Sequence, residues 1–250
     1  MVGKGRAVVE FGAGSATKTP LLLDAIAPSA YVPIDISGEF LREACRPLAE
    51  RYPALPIYPL EADFTKPANL PSDIAGKPLL GFFPGSTIGN MEPSPAVDLL
   101  RSMRETLGGE SWLLIGMDRI KDREVLKAAY DDREGVTASF NLNLLDRINR
   151  ELDGTIPTDA FRHRARWNDA RARIEMHIEA TRAVEFEVAG ERFAMEEGET
   201  IHTENSHKYG KRSGALLLLA GGWETRQIYS DADGRFMVLL ARALGDEMVA

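Results

Sequence analysis

Apolar residues along this chain fall first into short continuous runs and later into alternation, and the change divides it. "RAVVEFG", "AYVPIDIS", "LPIYPLEADF", "PLLGFFPGSTIGN" and "SWLLIGMD" each gather β-branched, aromatic or other apolar residues and stop at polar residues or glycine. Such runs suit strands buried on both faces of a parallel sheet. Between them, "TKTPLLLDAI", "GEFLREACRPLAERY" and "PSPAVDLLRSMRETLGG" read as helices. Pro20 is tolerated in a first turn, and Gly108 closes the third helix. Strand and helix in alternation predict an α/β fold with crossover connections. Ligands bind outside the carboxyl ends of such strands. There the runs end in Glu10 to Gly12, Asp35, Asp63, Gly85-Ser86-Thr87 and Asp118.

Beyond Asp118 the rhythm changes. "KDREVLKAAYDD" and "VTASFNLNLLDRINREL" read as helices, and "ARIEMHIEATRAVEFEVAGERFAMEEGETIHTE" alternates as antiparallel strands do. A hairpin is expected to turn near Ala189-Gly190. "HKYGKRSGALLLLAGG" reads as a helix, and "WETRQIYSDADGRFMVLLARA" as a terminal hairpin turning over Asp231 to Gly234. The expected organisation is one domain of residues 1–118 and 206–250, with an inserted cap over 119–205.

Composition narrows the partners. The 250 residues are 44% apolar, ample for a core, and the formal net charge of -8 opposes a nucleic-acid backbone or an anionic membrane as main partner. "RHRARWNDARAR" is basic, yet with this acidic balance it reads as a solvated strand and salt-bridged loop. The single cysteine, Cys45, excludes an internal disulfide and a multi-cysteine metal site, and fits a cytoplasmic location. "MVGKGRAVVEF" shows no signal-peptide core, and "GALLLLAGGW" is too short to span a bilayer. His163, His177, His202 and His207 stand among Arg, Glu and Lys without a ligand-type spacing, so no metal is expected.

The stretch "VVEFGAGSATKTP" carries the first chemistry. It is no dinucleotide fingerprint, because Thr17 stands where the third glycine belongs, and no phosphate loop, because glycine does not precede Lys18. Glu10-x-Gly12-x-Gly14 after a strand resembles the first motif of Rossmann-like S-adenosylmethionine methyltransferases. Glycine lets a backbone approach its ligand without a Cβ in the way. Asp35 suits two ribose hydroxyls, as an acid at this place does in nucleotide folds, and Asp63 with Phe64 suits an adenine. Taken singly, each has a plainer reading. Asp35 with Ser37 suits a helix N-cap, and Asp63 suits a turn.

Further motifs sharpen the resemblance. "GAGSATKT", "YVPIDIS", "FFPGSTIGN", "YDDREGVTASFNLNLLDRINREL", "RIEMH" and "IHTENSHKY" follow in order over essentially the whole chain. Together they resemble the histidine-specific Nα-methyltransferases of ergothioneine biosynthesis. That resemblance implies a Rossmann-like class I methyltransferase sheet with an inserted α+β substrate-binding cap. It implies S-adenosyl-L-methionine as co-substrate, L-histidine as small-molecule acceptor, Nα-trimethylhistidine (hercynine) as product, and a monomer. By resemblance Gly12, Lys18, Asp35, Asp63 and Phe64 fall on cofactor positions, with Gly85 and Ser86 lining the reaction centre. Asn90 and Tyr130 fall on positions that grip the substrate carboxylate, Thr87 lies near the amine, Glu204 and Ser206 bind the imidazole, and Met176 lines its pocket. Without the resemblance, Tyr130 and Met176 suit packing, Asn90 suits a cap near Glu92, and Glu204 suits a solvated strand.

The family's members also carry a longer segment ahead of the first strand, with tyrosines that close over the cofactor. The short start favours a second reading, a cofactor-binding homologue that is truncated or depends on a partner; a methyltransferase for another small amine is a third, against which the pair Glu204 and Ser206 argues. The chemistry itself asks for alignment of an amine lone pair with a C–S axis rather than covalent help. A free α-amine titrates near pH 8, so no residue is assigned as a general base. Glu204 and Ser206, two apart on an extended segment, point to one side.

Overall fold

The computed structural model describes residues 2–245. The apolar runs become β1 (Ala7–Phe11), β2 (Ala30–Asp35), β3 (Leu60–Glu61), β4 (Leu79–Phe83) and β5 (Trp112–Asp118). They alternate with α1 (Thr19–Ile26), α2 (Gly38–Arg51) and α3 (Pro93–Leu107). Next come α4 (Arg123–Tyr130), α5 (Val136–Glu151), β6 (Phe161–Asn168), β7 (Arg173–Ala180), β8 (Val184–Val188), β9 (Glu191–Met195) and β10 (Thr200–His207). The chain closes with α6 (Lys211–Ala220), β11 (Trp223–Ser230) and β12 (Phe236–Ala243). Two compact units result: Met1–Arg119 with Tyr209–Ala250, and Ile120–Lys208.

The first unit is built on a seven-stranded sheet in the order β11-β12-β5-β4-β1-β2-β3. β1 to β5 are parallel, and β12 enters antiparallel beside β5 with Leu239 opposite Ile115. Because the parallel strands are covered on both faces, Val8 and Val9 are both buried, and each belongs to a different apolar cluster. Trp223 anchors β11 by donating its indole N–H to the Leu100 carbonyl at 2.8 Å. The chain leaves and re-enters this unit at one place, where the Tyr209 amide donates to the Asp118 carbonyl at 2.9 Å.

One element is shorter than its apolar run. The strand expected over residues 55–64 pairs as β3 only at Leu60 and Glu61, with an isolated bridge from Ile57 to Tyr31. Pro56 and Pro59 interrupt that run. A proline has no N–H for the ladder, so continuous pairing stops there.

In the second unit β10, β7 and β6 form an antiparallel sheet, and β8 and β9 form a hairpin. Alternation along β7 separates two faces. Ile178 packs with Leu145 of α5 in an apolar cluster. Glu175, His177 and Glu179 point the other way, opposite Arg166, Arg164 and Arg162 of β6. The basic stripe is therefore neutralised by its neighbour strand. Glu179, 5% exposed, accepts from Arg162, from Arg164 Nε at 3.0 Å and from Arg166 Nη2 at 3.0 Å. Glu175 accepts from Asn168 and from Arg173 Nε, each at 2.8 Å. Among the described residues no helix is long and apolar enough to cross a membrane.

Both carboxyls sit below the usual range. The hydrogen bond from Arg162 leads for Glu179; for Glu175 burial pushes up, but Asn168, Arg173 and His177 outweigh it and hold the group at about 2. A depressed folded pKa gives stability that is present above the unfolded value and lost as pH falls. We therefore expect this unit to weaken from about pH 4.5 towards about 2. Glu179→Gln should flatten the Glu179 part of that slope. Circular dichroism during acid titration of wild type and variant checks it; identical slopes would refute the ion-pair account.

Candidate active site

In the first unit the glycine turn is framed by a buried carboxyl group. Glu10 continues an apolar strand into the turn and is 2% exposed. Its Oε2 accepts from Thr19 Oγ1 at 2.6 Å and from Tyr31 OH at 2.7 Å. Burial pushes its carboxyl up, while the bonds from Thr19 and Tyr31 and the charge of Lys18 oppose that. Burial also raises the Tyr31 phenol, so it remains a donor. This carboxylate ties the end of β1 to the start of α1 and to β2, and so frames the turn between them.

Within the frame, Gly12 and Gly14 take φ of 64° and 50°. That left-handed region costs an ordinary residue roughly 1–2 kcal/mol. A Cβ on Gly12 would also stand 3.2 Å from the Phe64 ring. The Gly12 and Ala13 amides donate to the Ile34 carbonyl at 2.9 and 3.2 Å. The Gly14 amide donates to Asp35 Oδ2 at 3.1 Å, and the Ser37 amide to Asp35 Oδ1 at 3.1 Å. Asp35 thus braces the glycine turn from the end of β2, and each oxygen keeps a lone pair for a ligand. Ser37 does begin α2, but without a side-chain cap.

Gly12, Lys18, Gly85 and Thr87 line one cavity of about 240 Å³, with Glu10 at its floor. Phe64 reaches the turn through Gly12 and packs edge-on to Phe83, ring centres 5.9 Å apart. Ser86, at φ 60°, accepts the Asp118 amide on its Oγ at 2.8 Å and so ties the ends of β4 and β5 together. Asp63 and Asn90 do not line this cavity. Asp63 is exposed and accepts from Thr65 N at 3.0 Å and Oγ1 at 2.6 Å, a side-chain turn. Asn90 is exposed at the end of a short 3-10 turn, and Glu92 holds the cap position of α3.

A separate cluster within the second unit lies on β10, α4 and β7. A bulge falls between His202 and Glu204, after which Glu204 opposes Met176 and Ser206 opposes Ile174. Glu204, Ser206 and Met176 therefore share a face. Tyr130 OH lies 2.7 Å from Ser206 Oγ. Lys208, 3% exposed, donates to Tyr130 OH at 2.7 Å and to Ser206 Oγ at 2.8 Å. Its ammonium also stands 4.5 Å from the centre of the Tyr130 ring. Burial pushes the Glu204 carboxyl up, and the charge of Lys208 opposes the shift.

His163 supports this cluster from behind. Asn141 Nδ2 can only donate, so His163 Nδ1 accepts at 2.9 Å. Its Nε2 then carries the hydrogen and donates to the Tyr130 carbonyl at 2.7 Å. That carbonyl is an orphan at the end of α4. Glu175, His177 and His202 offer ligand atoms within 4.8 Å of one another. Glu175 is already held by Arg173 and Asn168, and the charge of Arg166 bears on His177. That setting suits a salt-bridged sheet face better than a cation. The His177 and His202 rings stack there at 4.7 Å.

Sequence reasoning missed the roles of Glu10, Thr19, Tyr31 and Lys208. A carboxylate inside an apolar strand was the available signal for Glu10. Nothing in "HKY" marks Lys208 as buried.

A seven-stranded sheet with one antiparallel strand, a glycine turn on β1 and an acid ending β2 define an S-adenosylmethionine-dependent methyltransferase. The overall likeness to the solved CcbJ methyltransferase from Streptomyces caelestis covers 98% of this chain and 86% of that one, with TM-score 0.51 and 14% identity. The chain belongs to the family of histidine-specific, SAM-dependent methyltransferases, whose pattern it matches over residues 1–243. It is 35% identical to the histidine N-alpha-methyltransferases of Mycolicibacterium smegmatis and Mycobacterium tuberculosis, over 94% of this chain and 74% of each relative.

Glu10 gives the sharpest test of the cofactor frame. A folded pKa raised above the unfolded value stabilises fully below the latter and loses that effect as pH rises through the former. Unfolding by urea from pH 4 to 8 should show this slope in wild type and not in Glu10→Gln. Glu10→Ala should cost about 2–4 kcal/mol, since Thr19 and Tyr31 lose their buried acceptor. A Glu10→Ala protein as stable as wild type would overturn the assignment.

Proposed function

We propose that this chain transfers methyl groups to the α-amine of L-histidine, up to the trimethylated betaine hercynine, as a step of ergothioneine biosynthesis. The carrying observation is the shared face of Glu204, Ser206 and Met176 in a family of histidine-specific enzymes. An acceptor carboxylate and a hydroxyl held by a buried ammonium offer an imidazole ring partners for both of its nitrogens. Buried polar groups of this kind reject an analogue that cannot satisfy them.

S-adenosylmethionine supplies a methyl group on a cationic sulfonium. Gly12, Gly14, Lys18 and Asp35 are the residues proposed to hold it, with Phe64 and Gly85 beside the turn. Gly12 fits that task because its φ of 64° favours glycine and its missing side chain lets a ligand approach the backbone. Asp63 and Asn90 stay assigned to the adenine and the substrate carboxylate by resemblance alone. The amine must arrive as free base, which near pH 8 needs only a modest shift. The protein is proposed to act as a cytoplasmic monomer.

Incubation with S-adenosylmethionine and L-histidine, followed by mass spectrometry, should give mono-, di- and trimethylhistidine in succession. Accumulation stopping at one methyl would refute the trimethylation, and methylation of other amines only would refute the acceptor. Glu204→Ala should raise the KM for histidine at least ~30-fold, about 2 kcal/mol of a charge-assisted hydrogen bond. The KM for S-adenosylmethionine should stay within about twofold of wild type. Equal rises in both would count against an imidazole contact.

A further inference from the structure

We infer that Lys208 is a positioning residue: its ammonium turns the Tyr130–Ser206 hydroxyl pair into a fixed hydrogen-bond donor towards the acceptor. This rests on the reading of that face as the histidine site. The argument is a count of hydrogens. An ammonium donates and never accepts. Lys208 Nζ stands 2.7 Å from Tyr130 OH and 2.8 Å from Ser206 Oγ, so both oxygens accept from it. The two oxygens are themselves 2.7 Å apart, so one hydroxyl hydrogen lies between them. Each hydroxyl carries one hydrogen, which leaves the second directed out of the triangle. A ligand at that edge therefore meets a donor.

Without the ammonium the pair would be ambivalent. Either hydroxyl could then rotate to accept from a ligand N–H. With it, two N–H bonds and the internal O–H take three of the pair's four lone pairs, so the edge offers one hydrogen against a single lone pair and favours an acceptor atom, such as a carboxylate oxygen or the bare nitrogen of a neutral imidazole. Glu204 on the same strand face provides the opposite preference, as an acceptor for an N–H. Lys208 thus sets the polarity of the pair and, with Glu204, makes the face one donor and one acceptor. The geometry is held tightly. Lys208 is 3% exposed, its amide donates to the Ala172 carbonyl at 2.8 Å, and the Tyr130 carbonyl is fixed by His163.

The test combines kinetics with a mutant cycle in the full chain. Lys208→Met keeps the length and removes the donor. It should raise the KM for histidine about tenfold or more, while the KM for S-adenosylmethionine and the kcat stay within about threefold. Lys208→Gln keeps a donor without the charge and should fall between wild type and Lys208→Met; it also decides the matter if Lys208→Met does not fold. Ser206→Ala should raise the histidine KM several-fold in wild type and by less than twofold in a Lys208→Met background, because the two act as a unit. Independent, additive effects, or an unchanged histidine KM in a folded Lys208 variant, would overturn the inference. Calorimetry separates its failure from that of the acceptor assignment. Wild type that binds no histidine removes both, whereas wild type and Lys208→Gln binding histidine alike removes only this one.

Discussion

A carboxylate closed off from water has to be held by something, and at the end of β1 that requirement organises the glycine turn of the first unit. Glu10 is held by a hydroxyl from α1 and a phenol from β2. Those two bonds set where α1 begins relative to the sheet, and hence how the chain turns through Gly12 and Gly14. Asp35 then braces the same turn from the neighbouring strand through the Gly14 amide. An unpaired buried carboxylate costs far more than any single surface contact contributes, so this arrangement is not interchangeable with others of similar shape.

The second unit meets a similar problem with the sign reversed. Lys208 is a buried cation, and its ammonium is met by two hydroxyls and the face of an aromatic ring. Elsewhere in the unit, arginines converge on nearly buried carboxylates of β7. One sheet face is thus built from ion pairs and the other packs its apolar side chains. The ion pairs of that face stabilise the unit, whereas Lys208 is buried on the other side against Tyr130 and Ser206.

Several roles named from the residues now divide by what the geometry does with them. Gly12, Lys18, Gly85 and Thr87 share a cavity, and Ser206, Glu204 and Met176 share a strand face. Asp63 is engaged in its own turn with Thr65. Ser86 acts through the Asp118 amide, joining two strand ends. Among the histidines, His163 holds the end of α4, and His177 stacks on His202 beside Glu175.

Periodicity alone was enough to locate the parallel strands and the crossover helices, because burial on both faces writes itself into a strand as a continuous apolar run. It was enough, too, for the glycine turn and for the side of the strand that Glu204 and Ser206 share, since both follow from local backbone geometry. It overran at β3, where Pro56 and Pro59 end the pairing that the apolar run suggested. What only the tertiary structure decided was the company each charge keeps. Glu10 and Tyr31 are 21 residues apart, and Tyr130 and Lys208 are 78 apart. Contacts across such distances depend on strand order and helix placement, which no local pattern encodes. Hence the places of the turns and strand ends were legible, while the buried groups that hold them became visible only once the chain was folded.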